Sequence, residues 1–393
     1  MTPQTETTSS FLTEDRIAIR NLAREFVTKE VRPVADELDP VQGEIPMELR
    51  AKMADLGFFG LLIPEEHGGL GLGVSEYALV VEELARGWMS VASLIARGQQ
   101  FATGFDEGQK AAYLPRMARG EFLSAFALSE AEAGSDVANL SCRAQREADG
   151  GWLINGQKMW CTFADGSDYL QVFARTEPAD PAHRSRGITC FLMPKERGTL
   201  PQGVTGNPVR KIGYHGWKTW ELSFDDARVE PGMIVGEEGK GFKVAMGDLV
   251  IARIHTAARA IGLARAALED SVEYAKTRVQ FGSPIADKQA IRFKIADMAA
   301  QIEASRALLH QVCVDYDAGA PREQLNLQAS MVKLIATEMA ERVTSEGIQV
   351  HGGAGYTTDF AVERYWRDAR LTKIFEGTSE IQMKIISDAL LGR

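Results

Sequence analysis

The run Ile374-Phe375-Glu376-Gly377-Thr378-Ser379-Glu380-Ile381-Gln382 sets a carboxylate, Glu376, in a short loop before a C-terminal helix. The helix dipole favours an ionised carboxylate just there. Gly377 permits the tight turn that projects it. Ser379-x-x-Gln382 fits a capping box, with Thr378 the competing cap. Taken alone, Glu376 reads as a solvated glutamate beside a cap. A second run, Phe126 to Asp136, leads from an apolar strand into a loop of small and hydroxyl residues around Ser129 and Ser135. Its backbone amides and hydroxyls could bind a heteroaromatic ring or a polar ligand chain, and the plainer reading is an ordinary strand exit. In a third run, Asn155 to Thr162, Trp160 and Thr162 stand two residues apart on one strand face. They could wall a planar ring, or the indole could be core.

Three zones must position these residues. From Phe11 to about 120 the text is helical, with Leu12, Ile19, Leu22 and Phe26 at helical spacing and Thr13 ahead of Arg16 as an imperfect cap. A Gly-rich loop at Pro64 to Gly71 interrupts it, and helix resumes over Val74 to Arg86 and toward Met117. From Phe122 to about Val235, glycines, aromatics and β-branched residues rise and apolar alternation sets in, at Leu170, Val172 and Ala174 and at Leu222 and Phe224. Asn155-Gly156 predicts a turn between two short strands there. From Lys240 onward, Phe242, Ala245, Met246 and Leu249, then Val332, Ile335, Met339 and Val343, mark long helices. Breakers at Gly282 with Pro284, Gly319 with Pro321, and Gly352 to Gly355 predict lengths of roughly 25 to 35 residues, those of a bundle. The expected fold is α+β and multi-domain: an N-terminal helical domain at 1–121, a central β domain at 122–235 and a C-terminal four-helix-type bundle at 236–393.

Composition narrows the function. The 393 residues suit two or three domains at about 150 residues each. A net charge of −10 disfavours a nucleic-acid binder. The four cysteines, Cys142, Cys161, Cys190 and Cys313, form no C-x-x-C pair and read as reduced, buried thiols of a cytoplasmic protein. No metal site is expected. Met1 to Ser10 is polar and does not read as a signal peptide, and no apolar run reaches the ~18 residues of a membrane span. The P-loop is absent, since Gly236-Glu237-Glu238-Gly239-Lys240 has the wrong length and no hydroxyl, and no G-x-G-x-x-G follows a strand. The hydrolase G-x-S-x-G is missing too.

Taken in order, the two runs at 126–136 and 155–162, Arg278-x-Gln280-Phe281-Gly282, Gln349-Val350-His351-Gly352-Gly353-Ala354-Gly355-Tyr356, Arg367-Asp368-Ala369-Arg370 and Phe375-Glu376-Gly377-Thr378 span almost the whole chain. In that register the sequence resembles the acyl-CoA dehydrogenase family, and the helix, β, helix layout agrees independently. The resemblance implies an FAD-bound homo-oligomer, usually a tetramer. It implies removal of two hydrogens from the α and β carbons of an acyl-CoA, leaving a trans-2-enoyl-CoA, with electrons passed to an electron-transfer flavoprotein. Glu376 matches the family's base for the α proton, while the β hydrogen leaves as hydride for flavin N5 on the opposite face.

By the same resemblance, Leu128 and Ser129 meet the flavin's pyrimidine side, Trp160 lies along the ring and Thr162 sits near its N5 edge. Arg278 reaches the pyrophosphate, with Phe281 and Gln289 near the adenine end. Gln349 and Gly353 reach the FAD of a neighbouring subunit, and Thr378 and Glu380 complete the site. Ser135 contacts the CoA arm, and Arg253 lies near substrate and Glu376. Arg97 and Gln100 fall in the helical segment that lines the acyl-tail cavity; Arg97 could read a polar tail there or be solvated. Many members carry Asp three residues before the arginine matching Arg253, where this chain has Val250, and Phe375 replaces a frequent tyrosine. The alternatives are a relative using the flavin as an oxidase, an enoyl-CoA reductase or a carrier-protein-thioester dehydrogenase, and a flavin-free scaffold.

Overall fold

The computed structural model describes residues 11–99, 102–247 and 249–392. The expectations for Met1 to Ser10 and for Gln100 lie outside the described residues. Helices α1 (Glu14–Phe26), α2 (Arg32–Leu38), α3 (Met47–Asp55), α4 (Val74–Gly87), α5 (Met89–Leu94), α6 (Ala96–Gln99) and α7 (Glu107–Ala118) come first. Strands β1 (Ser124–Ala127), β2 (Arg143–Arg146), β3 (Trp152–Thr162), β4 (Tyr169–Arg175), β5 (Ile188–Pro194), β6 (Val204–Pro208), β7 (Thr219–Val229) and β8 (Ile234–Val235) follow. Then come α8 (Gly241–Ala245), α9 (Leu249–Thr277), the short pair β9 (Val279–Gln280) and β10 (Ser283–Pro284), α10 (Gln289–Asp317), α11 (Arg322–His351), α12 (Val362–Thr372) and α13 (Ser379–Leu391). The described parts fall into two compact units: Met1–Val41, Leu72–Ala92 and Val250–Arg393 form one, and Gln42–Gly71 with Ser93–Leu249 the other. Among the described residues, no helix is long and apolar enough to cross a membrane.

The helical unit is organised on α9, whose side chains from Arg253 to Ala267 are buried throughout. Small residues make that burial feasible: a Cβ on Gly262 would stand 2.4 Å from the Glu82 carbonyl of α4. Glu82 and Glu83, both buried on α4, meet Arg265 of α9 at 2.9 and 2.8 Å, and Arg306 of α10 reaches Glu82 at 2.9 Å. Burial opposes their ionisation, but these guanidiniums outweigh it and hold both carboxyls below the usual range. Thr13 does cap α1, accepting from the Arg16 amide. Helix α1 runs through a π segment, Val27–Val31, into α2. Phe26 is core, but Leu22 is 45% exposed, so the expected apolar stripe of α1 is narrower than its spacing suggested.

In the β unit the strand order is β6-β7-β3-β2-β4-β5-β8, with β1 added parallel to β4. Strand β4 is buried on both faces. Leu170, Val172 and Ala174 join Trp152, Ile154, Phe191, Leu222 and Phe224 in one core. Tyr169 and Phe173 join Leu114 and Met117 of α7 in the other. The turn expected at Asn155-Gly156 is not formed: β3 continues through it as one strand of 11 residues. The asparagine side chain instead bridges to Asp226 on β7, with Nδ2 donating at 2.9 Å and Oδ1 accepting from the Asp226 amide at 3.0 Å. Gly156 takes a φ of 141° at an irregularity in the pairing, and a Cβ there would stand 2.8 Å from Cys142 Cα. Cross-strand pairing overrides the local turn signal.

Candidate active site

Within the helical unit, Glu376 sits in the turn between α12 and α13 with a φ of 54°, followed by Gly377 at 89°. A non-glycine residue in this region is strained by about 1 kcal/mol or more and is kept there by surrounding contacts. Those contacts are specific. Lys333, fully buried on α11, donates to the Gly377 carbonyl at 2.6 Å, and Gln382 Nε2 donates to the same oxygen at 3.0 Å. Thr378 is the cap of α13, its hydroxyl accepting from the Ile381 amide; Ser379, the rival cap, spends its hydroxyl on Glu338 at 2.8 Å.

The Glu376 carboxylate is held at both oxygens. Arg259 Nη2 meets Oε1 at 2.7 Å, and the Thr256 hydroxyl donates to Oε2. Arg259 is 1% exposed, donates to Thr256 Oγ1 at 3.1 Å and lies 4.5 Å over the Phe375 ring. About a third of the Glu376 side chain stays open to solvent. A carboxylate offers about four lone-pair positions, so these two partners leave acceptor capacity on that open part. The solvated-glutamate reading therefore does not describe this residue. Sequence reasoning missed Thr256 and Arg259 altogether. Arg253, the arginine it did name, is 5% exposed and donates to the Asn326 carbonyl at 3.5 Å. Burial pushes its pKa down to about 10. Burial likewise pushes Lys333 down to about 8, with Glu376 opposing the shift and Arg259 adding to it.

The other candidates of this unit lie at its surface. Arg278 is exposed at the end of α9, and Gln289 opens α10. Phe281 and Gly282, both left-handed, make the two-residue turn joining β9 and β10, and Phe281 is 96% exposed at its tip. Gln349 is exposed near the end of α11. Gly353 follows in the turn Gly352–Tyr356, where an added Cβ would meet nothing within 4 Å. Thr378 and the exposed Glu380 stand at the head of α13.

In the β unit, Leu128 and Ser129 are half-buried just after β1 and are tied to β3. The Leu128 carbonyl accepts from Lys158 Nζ at 3.0 Å and the Ser129 carbonyl from the Met159 amide at 2.8 Å. Lys158 also meets Glu130 at 2.8 Å, both side chains buried. The Glu130 carboxylate accepts further from the Ser141 amide and hydroxyl and from the Cys142 amide, at 2.7, 2.8 and 2.9 Å. Burial opposes its ionisation, yet Lys158 and these donors outweigh the penalty and hold its carboxyl below the usual range.

This pair anchors the strand ahead of a bulge between Lys158 and Cys161. Trp160 sits in the bulge at a φ of 63° with its side chain largely in solvent, while Cys161 turns into the core. The core reading of this indole thus fails. Thr162 Oγ1 lies 3.0 Å from Thr219 Oγ1, within the pair Thr162 and Thr219 of β3 and β7. Ser135 is exposed on its loop. Arg97 is half-buried with its guanidinium 5.5 Å over the Trp217 ring, so it is a stacked cation rather than a solvated one. All four cysteines are buried, and burial raises the thiol pKa of each, Cys142 to about 11.

Within the β unit an open indole suits a planar ring, and within the helical unit an exposed arginine and a glycine edge with free space beside it suit a phosphate-bearing arm, so the residues of each unit fit a part of FAD. Comparison with known proteins agrees. The acyl-CoA dehydrogenase N-terminal, middle and C-terminal domain models match residues 13–121, 125–227 and 239–391. An acyl-CoA dehydrogenase of Bacillus subtilis (strain 168) is 39% identical over 386 residues, 97% of this chain and 99% of that protein. The acryloyl-CoA reductase (NADH) of Anaerotignum propionicum is 40% identical over 388 residues, 97% and 96% of the two chains. The structure of butyryl-CoA dehydrogenase from Megasphaera elsdenii matches with a TM-score of 0.89 at 37% identity, covering 97% of this chain and 99% of that one. A helical N-terminal domain, a middle β domain, a helical C-terminal domain and an anchored carboxylate before the last helix thus occur together along a single chain, which belongs to the acyl-CoA dehydrogenase family, a family of flavoprotein oxidoreductases.

Proposed function

We propose that this protein is an FAD-dependent dehydrogenase that converts an acyl-CoA thioester to its trans-2-enoyl-CoA. The observation that carries the reading is the Glu376 carboxylate, fixed at both oxygens by Arg259 and Thr256 yet open over a third of its side chain. Glu376 takes the α proton, which the thioester carbonyl acidifies, and its fixed orientation supplies the alignment that general-base catalysis needs. FAD, when bound, accepts the β hydrogen as hydride. Trp160 offers the plane for the ring, and Leu128, Ser129 and Thr162 flank that plane. Arg278, Phe281, Gln289, Thr378 and Glu380 hold the remainder of the cofactor, with Gln349 and Gly353 serving the FAD of a neighbouring subunit. Ser135 takes the CoA arm. Arg253, buried with only a carbonyl partner among the described residues, serves the substrate region, and Arg97 serves the acyl tail.

The same proposal includes a homotetramer, an electron-transfer flavoprotein as acceptor, a cytoplasmic place in acyl-CoA catabolism and domain boundaries after residues 121 and 235. Family membership over the whole chain supports it. The second reading, reduction of an enoyl-CoA, is favoured by the similarity to acryloyl-CoA reductase. Anaerobic mixing of the yellow protein with a panel of saturated acyl-CoAs separates the two. Rapid bleaching of the flavin with enoyl-CoA formation is expected. A flavin that stays oxidised with every member, but whose reduced form is reoxidised by enoyl-CoA, would select the reductase.

A further inference from the structure

Thr256 and Arg259 lie three residues apart on α9 and so share one helix face. Their partner, Glu376, comes from a turn more than a hundred residues later. Arg259 reaches both the carboxylate, at 2.7 Å, and the threonine hydroxyl, at 3.1 Å, so the three groups close into a triangle. The hydroxyl has one proton and two acceptors in reach: Glu376 Oε2 and the Ala252 carbonyl at 3.0 Å. Phe375, adjacent to the base, is covered by the same guanidinium. We infer that Thr256 and Arg259 are the positioning pair of the base, with Arg259 fixing Oε1 against a strained backbone while the Thr256 hydroxyl follows the state of Oε2.

This rests on the dehydrogenase reading and deepens it. While Glu376 is ionised, Thr256 donates its proton to Oε2. Once Glu376 carries the proton taken from the substrate, the hydroxyl turns to the Ala252 carbonyl, and its oxygen is then free to accept. No atom of the pair is consumed, so the device resets when the proton leaves Glu376. The benefit of the pairing is orientation: misplacing a catalytic group by about 1 Å costs on the order of a hundredfold in rate. The backbone grip of Lys333 and Gln382 on Gly377 cannot supply this, because it stops one residue short of the carboxylate.

The test compares wild type, Arg259→Gln, Arg259→Lys and Thr256→Val as FAD-loaded proteins, by anaerobic flavin reduction with the best acyl-CoA of the panel. Arg259→Gln should lower kcat roughly ten- to a hundredfold. Its KM and FAD content should stay within about twofold of wild type, and added guanidinium should restore part of the rate. Arg259→Lys should fall between the two. Thr256→Val, nearly isosteric, should lose about tenfold in kcat, the worth of one hydrogen bond to a charged group, and it carries the test if Arg259→Gln does not fold. An unchanged kcat in Thr256→Val and Arg259→Gln, or a loss matched by lost FAD and a lowered Tm, would overturn the positioning role while leaving the dehydrogenase intact. A wild type that never bleaches would overturn both.

Discussion

Two buried-cation and carboxylate pairs, one in each unit, look alike on paper and differ in every respect that matters for chemistry. Glu130 meets Lys158 and three further donors, its side chain is 8% exposed, and its oxygens have no acceptor position left to offer. Glu376 meets Arg259 and one hydroxyl, its side chain is 33% exposed, and its backbone is held in the left-handed region. A saturated carboxylate on relaxed backbone organises structure, here by tying Leu128 and Ser129 to β3. A carboxylate left partly open on strained backbone suits the base of the proposed dehydrogenation.

The comparison breaks most sharply by exchanging the acid for its amide at both places. Glu376→Gln should keep FAD but lose on the order of 10²–10⁴-fold in the rate of flavin reduction; activity at the wild-type level would show that another group is the base. Glu130→Gln should do the reverse, costing about 3–5 kcal/mol of stability because Lys158 is left buried without its counter-charge. Turnover per FAD-loaded molecule should be kept, as read by denaturant unfolding alongside kinetics. A smaller effect is expected at Trp160. Because its indole is 56% exposed, Trp160→Ala should change stability by no more than about 1 kcal/mol. FAD retention during dialysis should nonetheless weaken about tenfold, as suits a lost stacking surface. The slightest effect is a pH slope. Lys333 has a folded pKa pushed down to about 8 from an ordinary 10.5. Between those values the unfolded chain holds the extra proton, so stability rises with pH across that window. Below about pH 8 the buried charge imposes its full penalty. In Lys333→Met the slope over this window should flatten, and an unchanged slope would assign it to another group.

Much of this was legible because it is local. The breakers at Gly282, Gly319 and Gly352 set the long helices, and α9, α10 and α11 run to 29, 29 and 30 residues as such spacing requires. Thr378 and Gly377 marked the Glu376 turn for the same reason, since caps and left-handed glycines act within four residues. What stayed hidden is tertiary. Asn155-Gly156 has the chemistry of a hairpin turn, but pairing with β7 and the bonds to Asp226, distant in sequence, hold it in a continuous strand. Thr256 and Arg259 are unremarkable in a helix of alanines and arginines, and Arg259 meets its partner across 117 positions. The helices before residue 121 are shared between two units; the Gly-rich loop at Pro64 to Gly71 ends at one of the boundaries, while those at 41 and 92 carry no such mark.

The most direct test of the central claim is anaerobic flavin reduction by an acyl-CoA deuterated at the α carbon, run beside the unlabelled compound on wild type and Glu376→Gln. If the oxygen of residue 376 takes the α proton, wild type bleaches quickly and the label slows it, while the variant retains its flavin colour over the same interval with either compound. Equal bleaching in both proteins, indifferent to the label, would contradict the account.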